Sequence, residues 1–453
     1  MRKPSPHWIL AGCGSLLLVA ATSLAGAAPA TTRPVEKLPP QVSPAAITVS
    51  RDGVRYAYIK RTLASLVPVV DGRAQPATEW IANNLLLFSA DSGHTFYIAR
   101  GRNNARVVLD GTAGPLFDSV DDWLFTPAGR LMYLARQKGL CVIVCDGLPR
   151  AQLARVRLGA LADAPDAFAF VDMTDTGERV YRNNHPEPVY QHVADVRLSP
   201  SGLRLAYRAQ HNGRWMMVLD HAEKAPCEDV SAPVFSADSA HVAWLVTRDG
   251  KSVLVLDDVE TPLGPAGELS PPVLSPDGRQ WLAAIRREGK TQVYSAGKPL
   301  GVYASIASPA FSPDGGRLAF IAVDGAGKNR VVLDGRETEP ADFIFDLRFS
   351  PDSRRFAYAT TVGNRDTLWV DGKLVGSYDA IAARTLAFSP DSRFYAVAVK
   401  QGAAQQIVYD GGATQRFDAV AAGQPLCIDA GNNLHAFAIS DGRLMSLTVS
   451  LNP

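Results

Sequence analysis

Residues 311–320 read "FSPDGGRLAF", and this phrase decides the fold because close relatives of it recur along the chain. They read "LSPDGRQWLA" at 274–283, "FSPDSRRFAY" at 349–358 and "FSPDSRFYAV" at 388–397. In each phrase proline presets φ at the second position of a turn, while Asp, Ser and Gly favour the other turn positions. An apolar run of strand-forming residues follows. The phrase therefore predicts a tight turn that leads into a β-strand.

The turn phrase recurs in phase over nearly the whole chain. Aligned on its serine position, the repeats fall at Ser50, Ser89, Thr126, Ala162, Ser199, Ser236, Ser275, Ser312, Ser350, Ser389 and Asp429. A second turn follows about 20 residues later in each repeat, and it is usually Asp-Gly, as at Asp371-Gly372. Each repeat therefore holds four short strands. About eleven such four-stranded units predict an all-β fold of the β-propeller class.

The repeated phrase resembles the WD40-like (PD40) repeat of TolB-type β-propellers, whose blades carry the word S-P-D-G-x-x-[IL]-[AV]-[FY]. The resemblance covers about residues 42–450. It implies a propeller fold and, because proteins of this type are periplasmic propellers that engage protein partners, a binding function. The separate N-terminal domain of TolB-type proteins has no counterpart in the Pro-rich stretch 28–44.

The number of repeats leaves open whether they form one ring or two, because most propellers have about four to eight blades. The first expectation is two propellers in tandem, divided near residue 230 or near 266, where "TPLGPAGELSPP" (261–272) has the composition of a linker. One large ring is the alternative. The last unit ends at its third strand, so residues near 36–42 are predicted to supply its fourth strand.

The start of the chain predicts export. Residues 1–27 combine a positively charged start with an apolar run and small residues at the end, as in a secretory signal peptide. The motif "LAGC" (10–13) also fits a lipoprotein box, so a lipid anchor at Cys13 is the alternative to simple cleavage of a signal peptide. The Pro-rich segment 28–44 and the repeats at 45–453 would form the mature chain. Its predicted location is the periplasm or the outside of the cell, with no later membrane span.

The connections between the second and third strands are basic in most units. In a propeller they emerge on one face, together with the connections from blade to blade, whereas the repeated turns emerge on the other face. A ring that binds an anionic partner surface is predicted there, formed by Arg102, Arg136, Arg214, Arg248, Arg286, Lys328 and Arg365. The inter-blade loops are acidic, as in "FDSVDDW" (117–123), so ion pairing between the two sets of loops is the alternative.

These features favour a non-enzymatic, exported propeller that binds an envelope protein or an anionic cell-wall component, or serves as a scaffold. A formal net charge of +1 gives no bias toward nucleic acid. No catalytic residue, cofactor or metal site is predicted, because the histidines and cysteines lack metal-ligand spacing. The alternative is a carbohydrate-active propeller (a glycosidase or lyase) or a glycan-binding protein, with Asp121, Asp122 and Asp346 as the first acids to inspect. Core packing is predicted for Trp80, Trp123, Trp215 and Trp369.

Overall fold

The computed structural model describes residues 31–43, 46–410, 412–421 and 425–452, so the predicted signal peptide and Cys13 lie outside the described residues. Within these ranges the chain forms eleven antiparallel sheets of four or five strands. The sheets follow one another in chain order, and each corresponds to one predicted repeat. We number them blades 1 to 11, and we name the first strand of a blade its inner strand and the fourth its outer strand.

Blades 1 to 4 are antiparallel meanders that run from the inner to the outer strand. Blade 1 contains Thr48–Val49, Tyr56–Arg61, Leu66–Val70 and Arg73–Ala74. Blade 2 contains Trp80–Ile81, Leu87–Phe88, Thr95–Arg100, Ala105–Leu109 and Thr112–Ala113, with the 3-10 helix Ala82–Asn84 between the first two. Blade 3 contains Ser119–Phe125, Leu131–Gln137, Leu140–Cys145 and Leu148–Leu153. Blade 4 contains Val156–Leu161, Phe168–Thr174, Gly177–Arg182 and His185–Tyr190.

Blades 5 to 8 repeat this order, with the inner strand split into two pieces in blades 6 and 7. Blade 5 contains His192–Leu198, Leu205–His211, Arg214–Leu219 and Ala222–Glu223. Blade 6 contains Asp229–Val230, Val234–Phe235, Val242–Arg248, Lys251–Leu256 and Val259–Pro265. Blade 7 contains Glu268–Leu269, Val273–Leu274, Trp281–Arg287, Lys290–Ser295 and Lys298–Tyr303. Blade 8 contains Ser305–Phe311, Leu318–Val323, Asn329–Leu333 and Arg336–Glu337.

Blades 9 to 11 complete the array, and the last of them takes its outer strand from the beginning of the described chain. Blade 9 contains Phe343–Phe349, Phe356–Val362, Arg365–Val370 and Lys373–Tyr378. Blade 10 contains Ala380–Ile381, Ala387–Phe388, Tyr395–Gln401, Ala404–Tyr409 and Gly412–Ala413. Blade 11 contains Ala419–Ala421, Cys427–Ile428, Asn433–Ser440, Arg443–Ser450 and the outer strand Thr31–Lys37.

The outer strand of blade 11 closes the array. Thr31–Lys37 pairs antiparallel with Arg443–Ser450, and the next backbone N–H, that of Leu38, donates to the carbonyl of Gly442 at 3.1 Å. The prediction that the N-terminal side supplies this strand is confirmed, although the strand lies earlier in the chain than residues 36–42. Leu38 and Val42 are instead buried in the apolar cluster between blades 11 and 1.

The second strand of each blade explains why the turn phrase ends in alternating aromatic and alanine residues. In blade 9, Phe356 and Tyr358 pack against Ile321 of blade 8, and Ala357 and Ala359 face blade 10 on the other side of the sheet. Successive residues of a strand point to opposite faces, so one face of the blade bears aromatic side chains and the other bears small side chains. The aromatic face of one blade can then approach the small face of its neighbour closely.

The buried apolar side chains close the blades into one ring. Among the described residues they form eleven clusters, and each cluster joins one pair of neighbouring blades, including blades 11 and 1. The clusters that contain Val230 and Leu263 continue the ring across both positions at which the sequence suggested a split. Of the two arrangements left open by the sequence, the structure therefore shows the single large propeller and not two in tandem. In the described part of the chain, no helix has the length and apolarity needed to cross a membrane.

Candidate functional site

The two faces of the ring differ in what their polar groups do. We name the face with the S-P-D turns and the Asp-Gly hairpins the turn face. In blade 9, Ser350 Oγ donates to Asp352 Oδ1 at 2.6 Å and accepts from the Arg355 backbone N–H at 2.9 Å. The backbone N–H of Asp352 then donates to Ser392 Oγ of blade 10 at 2.9 Å. The hydrogen bond from Ser350 lowers the pKa of the Asp352 carboxyl, so the turn holds a carboxylate.

In five of the blades an arginine four or five residues after the serine or threonine of the turn joins it to the next blade. Arg355 Nε donates to Asp371 Oδ2 of its own blade at 2.9 Å, and Nη1 donates to the Arg393 carbonyl of blade 10 at 2.5 Å. Its guanidinium also lies over the Phe388 ring, 5.4 Å from the centroid. The same ion pair to the Asp of the second turn is made by Arg55, Arg130, Arg204 and Arg317. His94 and His241 contact that Asp through Nδ1 in the equivalent place. These arginines therefore add polar contacts between blades to the apolar clusters that close the ring.

We name the opposite face the loop face; it carries the hairpins between second and third strands and the connections from blade to blade. Its acidic residues also have structural partners. Asp342 Oδ2 accepts from the Gly363 backbone N–H at 2.7 Å, and Asp379 Oδ2 accepts from that of Gly402 at 2.6 Å. The hydrogen bonds from Lys328 and Gly363 hold the pKa of Asp342 below its usual range. Acidic connections therefore cap the neighbouring hairpins.

The structure places the seven predicted basic residues at these hairpins and divides them into two sets. Four are paired with a carboxylate: Arg136 with Asp121 at 2.7 Å, Arg248 with Glu260 at 2.7 Å, Lys328 with Asp342 at 2.5 Å and Arg365 with Asp379 at 3.0 Å. Arg102, Arg214 and Arg286 have no carboxylate within 4.0 Å among the described residues. Ion pairing thus neutralises much of the ring, and a partner-binding role for its members stays a prediction.

Exposed apolar side chains on the loop face of blades 1 to 3 are candidates for a binding surface that the sequence did not reveal. Leu63 lies in the hairpin of blade 1, Trp80 begins the inner strand of blade 2, and Leu140 begins the third strand of blade 3. Their exposed fractions are 109%, 65% and 39%. Trp80 pairs with Arg100, next to the hairpin that holds the unpaired Arg102. We name Leu63, Trp80, Leu140 and Arg102 the blade 1–3 patch.

Core packing is the wrong interpretation for Trp80, although it is right for the other three tryptophans. Trp123, Trp215 and Trp369 are partly buried against the apolar clusters of their blades. Trp80 belongs to a unit with a 39-residue spacing, and its inner strand is interrupted by Ala82–Asn84. Trp80 precedes this interruption and is exposed at the rim. The spacing gave no signal, because Trp369 is in a unit of the same 39-residue length.

The acids considered for sugar chemistry lie on the inner strands of two blades, and two of them are engaged by other groups. Asp121 and Asp122 lie on the inner strand of blade 3, and Asp346 lies on that of blade 9. Asp121 pairs with Arg136, while Asp346 Oδ1 accepts from the Arg384 backbone N–H at 2.7 Å. Burial raises the pKa of Asp346. In the described part of the chain, no group of three or more His, Cys, Asp or Glu is placed to hold a metal ion.

These observations define an eleven-bladed β-propeller with a structural turn face and a more open loop face. No protein-family model and no curated protein matches the chain. Solved structures do match. The chain is similar to a crystal structure of the eukaryotic initiation factor (15% identity, 68% of this chain and 90% of that chain, TM-score 0.42). It is also similar to TolB from Acinetobacter baumannii (12% identity, 65% of this chain and 78% of that chain, TM-score 0.24). A third similar structure is the β-propeller domain of the Trilobed protease from Pyrococcus furiosus (14% identity, 57% of this chain and 95% of that chain, TM-score 0.28).

Proposed function

We propose that this propeller is an exported, non-enzymatic module that binds a protein partner through its loop face, with the blade 1–3 patch as the centre of the contact. Export is supported by the signal-like residues 1–27, and the PD40-like phrase supports kinship with TolB-type propellers. The mechanism is complementarity of shape and charge, because the ring presents a rigid surface and no bond has to be made or broken.

The observation that carries the proposal is the exposure of Trp80 beside Arg102. Trp and Arg are enriched among the residues that dominate protein–protein binding energy, and Lys, Glu and Asp are depleted there. An isolated exposed apolar residue needs no explanation, but Leu63, Trp80 and Leu140 lie on three consecutive blades of one face. The turn face has exposed residues too, such as Leu203, yet five of its arginines are paired with the Asp of the second turn and join neighbouring blades.

The remaining basic residues would act at the edge of this contact. Arg214 and Arg286 lie on blades 5 and 7, away from blades 1 to 3, and have no carboxylate partner in the described part of the chain. Exposed charges at the rim of an interface mainly accelerate association and contribute little to its final affinity. A protein with an acidic surface is therefore the expected partner.

Site-specific photocrosslinking in the host cell tests the proposal. A photoreactive benzoylphenylalanine replaces Trp80 in one version of the chain and Leu203, which is 75% exposed on the turn face, in a matched control. We expect a discrete protein adduct from position 80 that is weakened by Arg102→Glu and absent at position 203. The same adducts at both positions, or none at position 80, would contradict the proposal. An adduct destroyed by cell-wall hydrolases but not by protease would replace the protein partner with a cell-wall component.

A further inference from the structure

A cavity lies at the turn-face end of the central channel. The blade 1–3 patch is on the other face of the ring, the loop face. Its volume is about 840 Å³, and it is bounded by inner strands and S-P-D turns of blades 1, 2, 3 and 9, with Pro425 of blade 11. An adjoining cavity of about 420 Å³ shares Arg51, Ala90 and Arg348 with it. Sites for small molecules typically measure about 300–1,000 Å³, so the larger space is adequate for one.

Both charged residues that line the larger cavity are arginines. Arg51 takes the place of proline in the first S-P-D turn, and Arg348 lies on the inner strand Phe343–Phe349 of blade 9. Neither side chain has a hydrogen-bond or ion-pair partner among the described residues, whereas the arginines that join the blades each have several. Blades 2 to 8 separate the two in sequence, whereas only blades 10 and 11 lie between them around the closed ring, so the closure of the ring brings them to one cavity.

The nearest carboxylates are engaged elsewhere. Asp52 and Asp91 line the smaller cavity, but Oδ1 of each accepts a hydrogen bond from the serine of its own turn and one from a backbone N–H, that of Val54 at 3.1 Å or that of Gly93 at 3.0 Å. Asp346 shares a strand with Arg348 but makes no ion pair with it. These carboxylates keep their negative charge, and Asp346 interacts electrostatically with Arg348, but none forms an ion pair with Arg51 or Arg348. The N–H donors of both guanidinium groups are therefore free to bind a ligand.

Apolar side chains form part of the lining, although the exposed surface of the cavity is more polar than apolar. Leu87, Phe88 and Phe125 contribute to the wall, next to the hydroxyl-bearing Thr48 and Thr126. A ligand with only a charged group would leave these side chains facing water. A ligand with an apolar body would cover them, which is favourable by about 25 cal/mol per Å² of apolar area removed from water.

We propose that this cavity binds a small organic oxyanion, a phosphate ester or carboxylate, whose anionic group contacts Arg51 and Arg348 and whose apolar body lies against Phe88 and Phe125. A guanidinium presents parallel N–H donors that match the oxygens of a carboxylate or phosphate. Two such groups can hold both sides of one oxyanion. The site is independent of the loop-face contact, because it opens on the opposite face.

Isothermal titration calorimetry on the full mature chain tests this inference. The probes are phenyl phosphate and 3-phenylpropionate, which share the chemistry but differ in the anionic group, with benzyl alcohol as the uncharged control and inorganic phosphate as the control without an apolar body. The variants are Arg51→Gln and Arg348→Gln. Arg197→Gln is the matched control, because Arg197 has the position of Arg348 in blade 5 and does not line the cavity.

We expect one of the two organic anions to bind and each cavity variant to weaken it about tenfold or more, which corresponds to losing a charge-assisted hydrogen bond. Arg197→Gln should leave the affinity unchanged, and Arg348→Lys should restore part of it. Thermal melting of the unliganded variants shows whether they fold. Failure of both organic anions to bind overturns the inference, as does equal weakening by Arg197→Gln. Neither result would affect the crosslinking expected at Trp80.

Discussion

The arginine that joins neighbouring blades gives a quantitative prediction. In Arg355→Ala, blade 9 loses the hydrogen bond to the Arg393 carbonyl, the ion pair with Asp371 and the contact over Phe388. The first is a bond from a charged donor, worth about 1.5–3 kcal/mol. The ion pair is partly exposed and adds about 0–1 kcal/mol, and the cation–π contact adds about 0.5–1 kcal/mol. Because these contacts share one side chain, we expect a total of about 2–3 kcal/mol.

Hydrogen exchange measured by mass spectrometry is the appropriate assay, because a large ring can open locally without unfolding throughout. A loss of 2–3 kcal/mol should speed exchange in the strand Tyr395–Gln401 of blade 10 by about 30- to 150-fold. Arg354→Ala is the control, because its exposed side chain makes no hydrogen bond or ion pair in the described residues, and it should change little. Equal exchange in both variants would refute the structural role of the turn face.

Three further predictions concern closure, thiols and acid stability. Deleting residues 31–42 leaves Arg443–Ser450 as an unpaired edge strand, so the shortened chain should associate on size-exclusion chromatography. A monomer of unchanged stability would argue against closure by this strand. Burial raises the pKa of Cys145 and of Cys227 to about 11, so a disulfide reagent at pH 7 should label them only after unfolding; rapid labelling of the native chain would be inconsistent with their burial. Partial burial opposes ionisation of Asp429, but hydrogen bonds, first from His435, lower its pKa to about 2. Its contribution to stability is therefore present above about pH 4 and lost as the pH falls toward 2. In Asp429→Asn, the melting temperature should depend less on pH over that range.

The repeat explains most of the fold because its turn and strand signals are local. Pro351 and Asp352 specify a turn, Asp371-Gly372 specifies a hairpin whose two residues both have positive φ, and the alternation in Phe356–Val362 specifies a strand packed on both sides. These features depend on a few neighbouring residues, and they recur with little change. The all-β propeller class and its units could therefore be predicted from the sequence.

The number of blades in a ring is a different kind of property. It depends on the angle between neighbouring sheets, which is about 33° when 360° is shared by eleven blades. Side chains on both faces of every blade determine that angle together, as Tyr358 and Ala359 do in blade 9. No single spacing or motif encodes it, so the sequence left two arrangements open.

The candidate surfaces were partly predictable. The basic hairpins could be placed on one face from topology alone, but whether Arg365 is paired with Asp379 depends on side-chain geometry across two blades. The exposure of Trp80 depends on a local irregularity in one inner strand. The cavity that joins Arg51 and Arg348 depends on ring closure and could not be anticipated until the number of blades was known.

Electron cryo-microscopy of the chain from residue 28 onward is the most direct test, because the cavity that joins Arg51 and Arg348 depends on one closed ring. Class averages viewed along the channel should show a single disc of eleven blades in which blade 11, with the strand Thr31–Lys37, contacts blade 1. Two smaller discs joined by a linker, or a gap between blades 11 and 1, would contradict the account. In either case Arg51 and Arg348 would no longer share a cavity, and the faces would have to be assigned again.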